Sequence, residues 1–308
     1  MNGFSRENIT IIGGGKIACS FTAALINAGF KINSVISRSS RSAEQLAKKF
    51  TIQFHSNDLK RLHAEGIFFL SVPDDQIKPL AKKISLLNMN FRKSLFVHLS
   101  GALNTSHLSY LKKKGAFTAS LHIMQTFPSK KIQNIKGCHA ALETYDAAVK
   151  NFLFELCSKL GLKAFSLEGD KKIHYHLAGV FASNFLVGNI YSSGRLLGKT
   201  KIKNEPEEIF RVIINSTLNN INKLGSAHAL LGPVDRGDYK TVQNHIAALK
   251  KYKCKKKIND LLVSYLSQSL SLLNIVKEKT AKLNSGHKKI KSMLKRELNT
   301  VYKSELIN

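Results

Sequence analysis

Ile9-Thr10-Ile11-Ile12-Gly13-Gly14-Gly15-Lys16-Ile17-Ala18 joins a run of β-branched residues to a helical pattern through three glycines. A strand that turns straight into a helix at Gly13-x-Gly15-x-x-Ala18 has a geometric reason for its small residues. The first makes a tight turn, the second lets backbone approach a bound pyrophosphate, and the third lets helix and strand pack closely. The helix N-terminus then faces the phosphates. The spacing predicts a strand over Ile9 to Ile12, a helix over Ile17 to Ala28, and a dinucleotide held at Gly13, Gly15, Lys16, Ile17 and Ala18.

Beyond this unit, apolar runs keep alternating with helical patterns up to about residue 168, as βα units feeding a parallel sheet do. Strands are predicted at Ile32 to Ile36, Gly66 to Ser71, Leu95 to Leu99, Phe117 to Leu121, Gly137 to Leu142 and Lys163 to Leu167. Helices fall between them at Ser42 to Phe50, Gln76 to Leu86, Thr105 to Lys113 and Ala147 to Leu160. From Lys171 the strand signals stop and helical spacing takes over, at Ile173 to Leu197, Glu205 to Leu224, Thr241 to Lys250 and Ile258 to Glu278. The first of these is mostly apolar and is expected to be buried on most sides. The lysine-rich tail from Lys279 reads as a peripheral helix or as partly disordered. The expected fold is an α/β Rossmann domain, mostly a parallel doubly wound sheet, over residues 1–169. An all-α domain follows over 170–308, for substrate and dimerisation.

The cofactor is narrowed by the end of the second strand. Selectivity for NAD places Asp or Glu there, about 20 residues after the glycines. This chain has Ser37-Arg38-Ser39-Ser40-Arg41. With no carboxylate, and with Ser37, Arg38, Ser39 and Arg41 able to hold a 2′-phosphate, NADP(H) is the expected cofactor. A solvated loop is the alternative. Val72 and Pro73, in Ser71-Val72-Pro73-Asp74, and His98 and Gly101, in His98-Leu99-Ser100-Gly101, lie at strand ends where open α/β sheets bind ligands.

Composition excludes several classes. Of the four cysteines, Cys19, Cys138, Cys157 and Cys254, none has CxxC spacing, and no histidine pair has HxH or HExxH spacing. Neither a disulfide framework nor a metal site is expected. The N-terminal residues carry no apolar core of a signal segment, and no run approaches a membrane span, so a cytoplasmic protein with no membrane partner is expected. The formal charge of +28 over 308 residues invites a nucleic-acid reading. It comes mostly from lysines spread in short groups such as Lys112 to Lys114 and Lys255 to Lys257. No interleaved aromatics accompany them, so specific nucleic-acid binding is not expected, and steering of anionic small molecules is.

Hydride transfer to a carbonyl or imine needs a group that donates a proton to the atom gaining charge. His98 and His122 follow strands, the latter in Leu121-His122-Ile123-Met124-Gln125-Thr126-Phe127. His176 shares a helical face with Ser183 and Asn184. His176 and Asn184 are the expected catalytic residues, although a core histidine satisfied by a backbone carbonyl fits His176 equally well. Ser100, His122, Gln125 and Ser183 are expected at the substrate, with Arg236 and Asp238 from Gly232-Pro233-Val234-Asp235-Arg236-Gly237-Asp238. There a guanidinium is placed to clamp a carboxylate. Helix capping by Asp235 or Asp238 is the alternative.

Taken together, these motifs resemble the 6-phosphogluconate-dehydrogenase-like superfamily. Within it they resemble a family of Rossmann-like proteins with a distinct helical C-terminal domain, some of which look like an alternative ketopantoate reductase. The resemblance runs from residue 9 to about 277. It implies reduction of 2-dehydropantoate with NADPH, for pantothenate and coenzyme A synthesis, by a homodimer. The better-known ketopantoate reductases place a lysine general acid on the first long helix of the second domain, followed by asparagines. Here His176 with Asn184 occupies the comparable face, and no lysine is expected there. A pyrroline-5-carboxylate-like imine reductase and a dinucleotide-binding protein without catalysis remain the alternatives.

Overall fold

The computed structural model describes residues 3–251 and 259–306; Cys254 and Lys255 to Lys257 lie outside the described residues. Contacts divide the chain into two compact units, Met1–Asn184 and Phe185–Asn308. Residues 172–184, at the start of the first long helical run, therefore belong with the sheet.

Unit 1 is built on an eight-stranded sheet of order β3-β2-β1-β4-β5-β6-β7-β8. The strands are β1 (Ile9–Ile12), β2 (Ser34–Ile36), β3 (Phe54–Ser56), β4 (Gly66–Leu70), β5 (Ser94–His98), β6 (Phe117–Ile123), β7 (His139–Glu143) and β8 (Lys163–Ser166). All neighbours pair in parallel except β6 with β7. Parallel strands covered on both faces read as near-continuous apolar runs, and β1, β4 and β5 are buried at every position. The helices are α1 (Lys16–Asn27), α2 (Ser40–Lys49), α3 (Asp74–Ile84), α4 (Ser109–Lys113) and α5 (Ala147–Lys159). Two cores line the two sheet faces, one around Phe21, Leu25, Phe69 and Leu153, the other around Phe68, Phe96, Ile77 and Leu111. Strand order reverses between β1 and β4, the place where doubly wound sheets open a crevice for ligands. The short strand β3 was not expected from the sequence. It is three residues long, Phe54-His55-Ser56, and mostly exposed, so no apolar run announces it.

Unit 1 ends in α6 (Lys172–Gly179) and a π-helical turn, Val180–Asn184. Unit 2 contains α7 (Phe185–Leu197), α8 (Pro206–Ala229, broken at Gly225), α9 (Pro233–Arg236), α10 (Tyr239–Lys250), α11 (Asp260–Thr280) and α12 (Ser285–Leu306). Its core joins Val242, Ile246, Leu266, Leu273, Ile290 and Leu294. The tail from Lys279 is therefore no loose appendage: α12 buries Ile290, Met293 and Leu294 at helical spacing. The expectation that Ile173 to Leu197 is buried on most sides is corrected. Phe185, Val187 and Tyr191 are exposed, as are Val212, Ile213 and Leu224 of α8. Among the described residues, no helix is long and apolar enough to cross a membrane.

Candidate functional site

The dinucleotide loop is shaped by close approach. Gly13 has φ +110°, and a Cβ there would stand 2.1 Å from the Ser71 carbonyl oxygen at the end of β4. Only glycine fits. Gly15 precedes α1 with no side chain capping the helix, whereas Ser39 and Asp146 cap α2 and α5. The first-turn amides of α1 thus lack a side-chain partner and suit a phosphate. Ala18 is fully buried against the sheet, Ile17 is partly so, and Lys16 is exposed. This cradle fits a dinucleotide pyrophosphate.

A cleft of about 520 Å³ runs along this edge, lined by Gly13, Gly15, Ser37, Arg38, Ser39, Val72, Pro73 and others that include Lys83 and Lys130. Among the described residues, no carboxylate lines it. Arg41 is exposed on α2 and outside the lining.

Two strands further along, β5 ends at His98, paired with Ser120, while β6 continues to Ile123. His122 therefore projects past its neighbour at the same edge of the sheet. His98 turns inward. It is fully buried, its Nδ1 accepts from Ser100 N at 3.3 Å, and its Nε2 lies 3.3 Å from the Asn104 carbonyl oxygen, to which it donates. Its ring braces the loop rather than facing the cleft. The Ser100 hydroxyl is likewise turned into its own turn, accepting from Ala102 N and Leu103 N. Gly101 leaves room for His122: a Cβ there would stand 2.7 Å from the imidazole Nε2.

His122 meets α6. Its Nδ1 is 3.4 Å from the Tyr175 hydroxyl, and its ring lies edge-on to those of Tyr175 and His176, centroids 5.5 and 6.4 Å away. His122 and His176, expected separately at the substrate and as a catalytic residue, thus stand near each other. Gln125 is exposed, with its amide taken up by Thr126 and Cys138. Ser183 and Asn184 fall in the π-turn, which adds a residue per turn and changes the face arithmetic that an ideal α-helix predicts for 176, 183 and 184.

Beneath this group lies a residue the sequence reading missed. Lys172 opens α6 and is only 1% exposed. Its Nζ donates to the Ser100 carbonyl at 3.1 Å and to the Ser120 hydroxyl, with Glu143 Oε2 at 3.9 Å. Glu143, also buried, accepts from Thr105 N and, at 2.7 Å, from Thr105 Oγ1. The expectation that no lysine stands on this helix is therefore corrected. Lys172 sits one turn before His176, on the same face. In sequence, Lys171-Lys172 looks like any solvated pair. The available signal was the four-residue spacing to His176.

Charge in this cluster is strongly shaped by burial. Desolvation pushes Lys172 down to about 8, against the pull of Glu143 and Asp74. Burial, then the positive Lys172, lowers His98 to about 3. Burial, with Lys172 and His176 adding to it, lowers His122 to about 4. Both imidazoles are neutral at pH 7. As pH falls below about 6.5, the unfolded chain takes up protons that folded His98 and His122 refuse, so stability drops down to pH 3–4. The denaturation midpoint should fall between pH 7 and pH 4, less steeply in His98→Gln than in wild type. Parallel curves would contradict this.

Arg236 and Asp238 lie in unit 2. Asp238 caps α10, its Oδ1 accepting from Thr241 N at 3.1 Å and its Oδ2 from Thr241 Oγ1 at 2.7 Å, the alternative weighed for it. Asp235 pairs with Lys279 at 3.0 Å, and Arg236 is exposed. Among the described residues, no cluster of His, Cys, Asp and Glu is arranged to hold a metal.

The fold and this edge define the nucleotide-binding architecture of an NAD(P)-dependent oxidoreductase. Residues 8–97 match the family model described as NADP oxidoreductase, coenzyme F420-dependent, and with the carboxylate-free cleft this makes NADP(H) the cofactor. Residues 138–266 match a second model, a domain of unknown function (DUF2520). Similar solved structures include a Bacteroides fragilis protein described as an NADP oxidoreductase, at 24% identity and TM-score 0.72, covering 87% of this chain and 98% of that one. A Thermotoga maritima protein follows at 26% identity and TM-score 0.68, with 88% and 99% covered. A pyrroline-5-carboxylate reductase from Coxiella burnetii, at 18% identity and TM-score 0.52 over 89% and 99%, shares the fold. No curated protein matches the chain in sequence.

Proposed function

We propose that this protein is an NADPH-dependent reductase of a small 2-oxo acid, with ketopantoate (2-dehydropantoate) as the substrate to test first. The observation that carries the reading is the polar group His122, Tyr175 and His176, set over buried Lys172 at the sheet edge that bears the dinucleotide cleft. When bound, the reduced nicotinamide supplies a hydride to the carbonyl carbon. The electron pair of the C=O bond then moves to oxygen, which takes a proton from His176. Neutral His122 hydrogen-bonds the same oxygen, and Asn184 with Ser183 orients the acid. Lys172 holds the first turn of α6, and so Tyr175 and His176, against the ends of β5 and β6.

Three measurements bear on this. Purified protein should consume NADPH with ketopantoate; activity on pyrroline-5-carboxylate instead would favour an imine reductase, and tight binding of NADPH without turnover a non-catalytic protein. NADPH should have a lower Michaelis constant than NADH, and Arg38→Ala should narrow the difference by about tenfold, the worth of one charge-assisted contact. Equal constants in wild type would remove the 2′-phosphate reading. The proposal includes a homodimer, supported by the apolar side chains that α7 and α8 leave exposed, since monomers rarely expose such patches. Light scattering should give twice the chain mass.

A further inference from the structure

The connection between antiparallel β6 and β7, residues 124–138, does not turn back as a tight hairpin. It is drawn across α1 and α2 and fastened there. Gln133 N donates to the Ser20 hydroxyl of α1 at 2.9 Å, Ile135 is buried at 3% exposure in the core, and Phe127 packs against that core. At the centre of the segment, Lys49 of α2 donates through Nζ to the Lys130 carbonyl at 3.1 Å. Lys130 is thereby fixed at the rim of the dinucleotide cleft, which it lines with Gly14 and Ser42. It also lines an adjoining recess of about 200 Å³ with Gly14, Ser42, Gln45 and Lys49.

The electrostatics of this arrangement call for an anion. Lys49 and Lys130 line one recess with Ser42 and Gln45 of α2, and among the described residues the Lys130 ammonium bonds only the neutral Gln45 amide oxygen, at 3.5 Å. Like charges brought together without a counter-charge repel. Among the described residues the cleft supplies no carboxylate to offset them, and it adds Arg38 and Lys83. The position also selects among the anionic groups of a dinucleotide. The pyrophosphate belongs over Gly15 and the start of α1. Lys130 stands instead beside Gly14 and Ser42 in the first turn of α2, where the adenosine ribose held at the end of the second strand would lie and the helix dipole favours negative charge.

We propose that the β6–β7 segment is a strap that delivers Lys130 to the 2′-phosphate of NADPH, completing from a third element the site begun by Arg38 and Ser39. The assignment rests on the NADPH reading of the cleft. Its test is titration of the full-length protein with NADPH and with NADH, read by cofactor fluorescence. Lys130→Ala should weaken NADPH binding about tenfold, leave NADH unchanged and leave the melting temperature unchanged, since the backbone clamp from Lys49 is retained. Lys130→Arg should restore NADPH affinity. Lys131→Ala, which removes an exposed charge one residue away, should change neither. Unaltered NADPH binding in Lys130→Ala would overturn the assignment, as would an equal loss for both cofactors or an equal effect of Lys131→Ala. Failure of the underlying reading is distinguishable, because wild type itself would then fail to prefer NADPH.

Discussion

Lys172→Met is expected to destabilise the fold by about 3 kcal/mol or more, because removing one partner of a buried charged pair leaves the other uncompensated. Methionine fills the space, so the loss is electrostatic rather than a cavity. It strands Glu143 in the interior and leaves the Ser100 carbonyl and Ser120 hydroxyl without their donor. Adding Glu143→Gln should recover a large part of the loss, since the stranded charge goes with it. Urea denaturation of wild type, the single variant and the double variant measures both. A pH series adds a signed check. With its folded value near 8, below the ordinary 10.5, Lys172 holds fewer protons folded than unfolded between those limits. Wild type should therefore gain stability relative to Lys172→Met as pH rises from 8 toward 10.5. A single variant within about 1 kcal/mol of wild type, well short of what a broken buried pair costs, would show the cluster to be dispensable.

Gly13→Ala and Gly15→Ala should part company. At Gly13, the new methyl would meet the Ser71 carbonyl at 2.1 Å, and the backbone sits at φ +110°, so β1 and β4 must separate. The expected cost is about 3 kcal/mol, with NADPH binding abolished. At Gly15, the nearest atom to a new Cβ is the Ser71 oxygen at 3.9 Å, ordinary contact. That variant should fold as wild type does. Its methyl nonetheless stands where the pyrophosphate approaches, so NADPH binding should weaken at least tenfold, about 1.4 kcal/mol. Thermal melts beside cofactor titrations separate the two effects. Equal stability losses would mean that Gly15 serves packing and not the nucleotide.

The sequence announces those parts of the molecule in which local pattern and tertiary role agree. Ile9 to Ile12 and Gly13 to Ala18 read correctly because a buried parallel strand must be apolar and its phosphate turn must be small. The approach of His122 to His176 was likewise foreseeable, since both follow from position, at a strand end and on a helix face. Lys172 was not, because a lysine next to a lysine is the commonest surface pattern, and only the tertiary position of Glu143 and Ser120 turns it inward. In α12, a dense lysine background hides Ile290, Met293 and Leu294, although their spacing is helical. Lys130 escaped for another reason: it is far in sequence from Ser42 and Gly14, and nothing local records that residues 124–138 cross α1 and α2. Asp238 shows the converse, a residue whose capping role competes with the substrate role its turn suggests.

The reaction proposed for the edge formed by β4, β5 and β6 is hydride transfer from NADPH to a small 2-oxo acid. Its most direct test is steady-state consumption of NADPH by the purified protein with ketopantoate, in wild type and in His176→Ala. Wild type should turn over and the variant should lose at least a hundredfold, within the range that a general acid contributes, about 10²–10⁴, while NADPH still binds. A protein that binds NADPH tightly yet transfers no hydride to ketopantoate or related 2-oxo acids, or a His176→Ala variant with unchanged turnover, would contradict it.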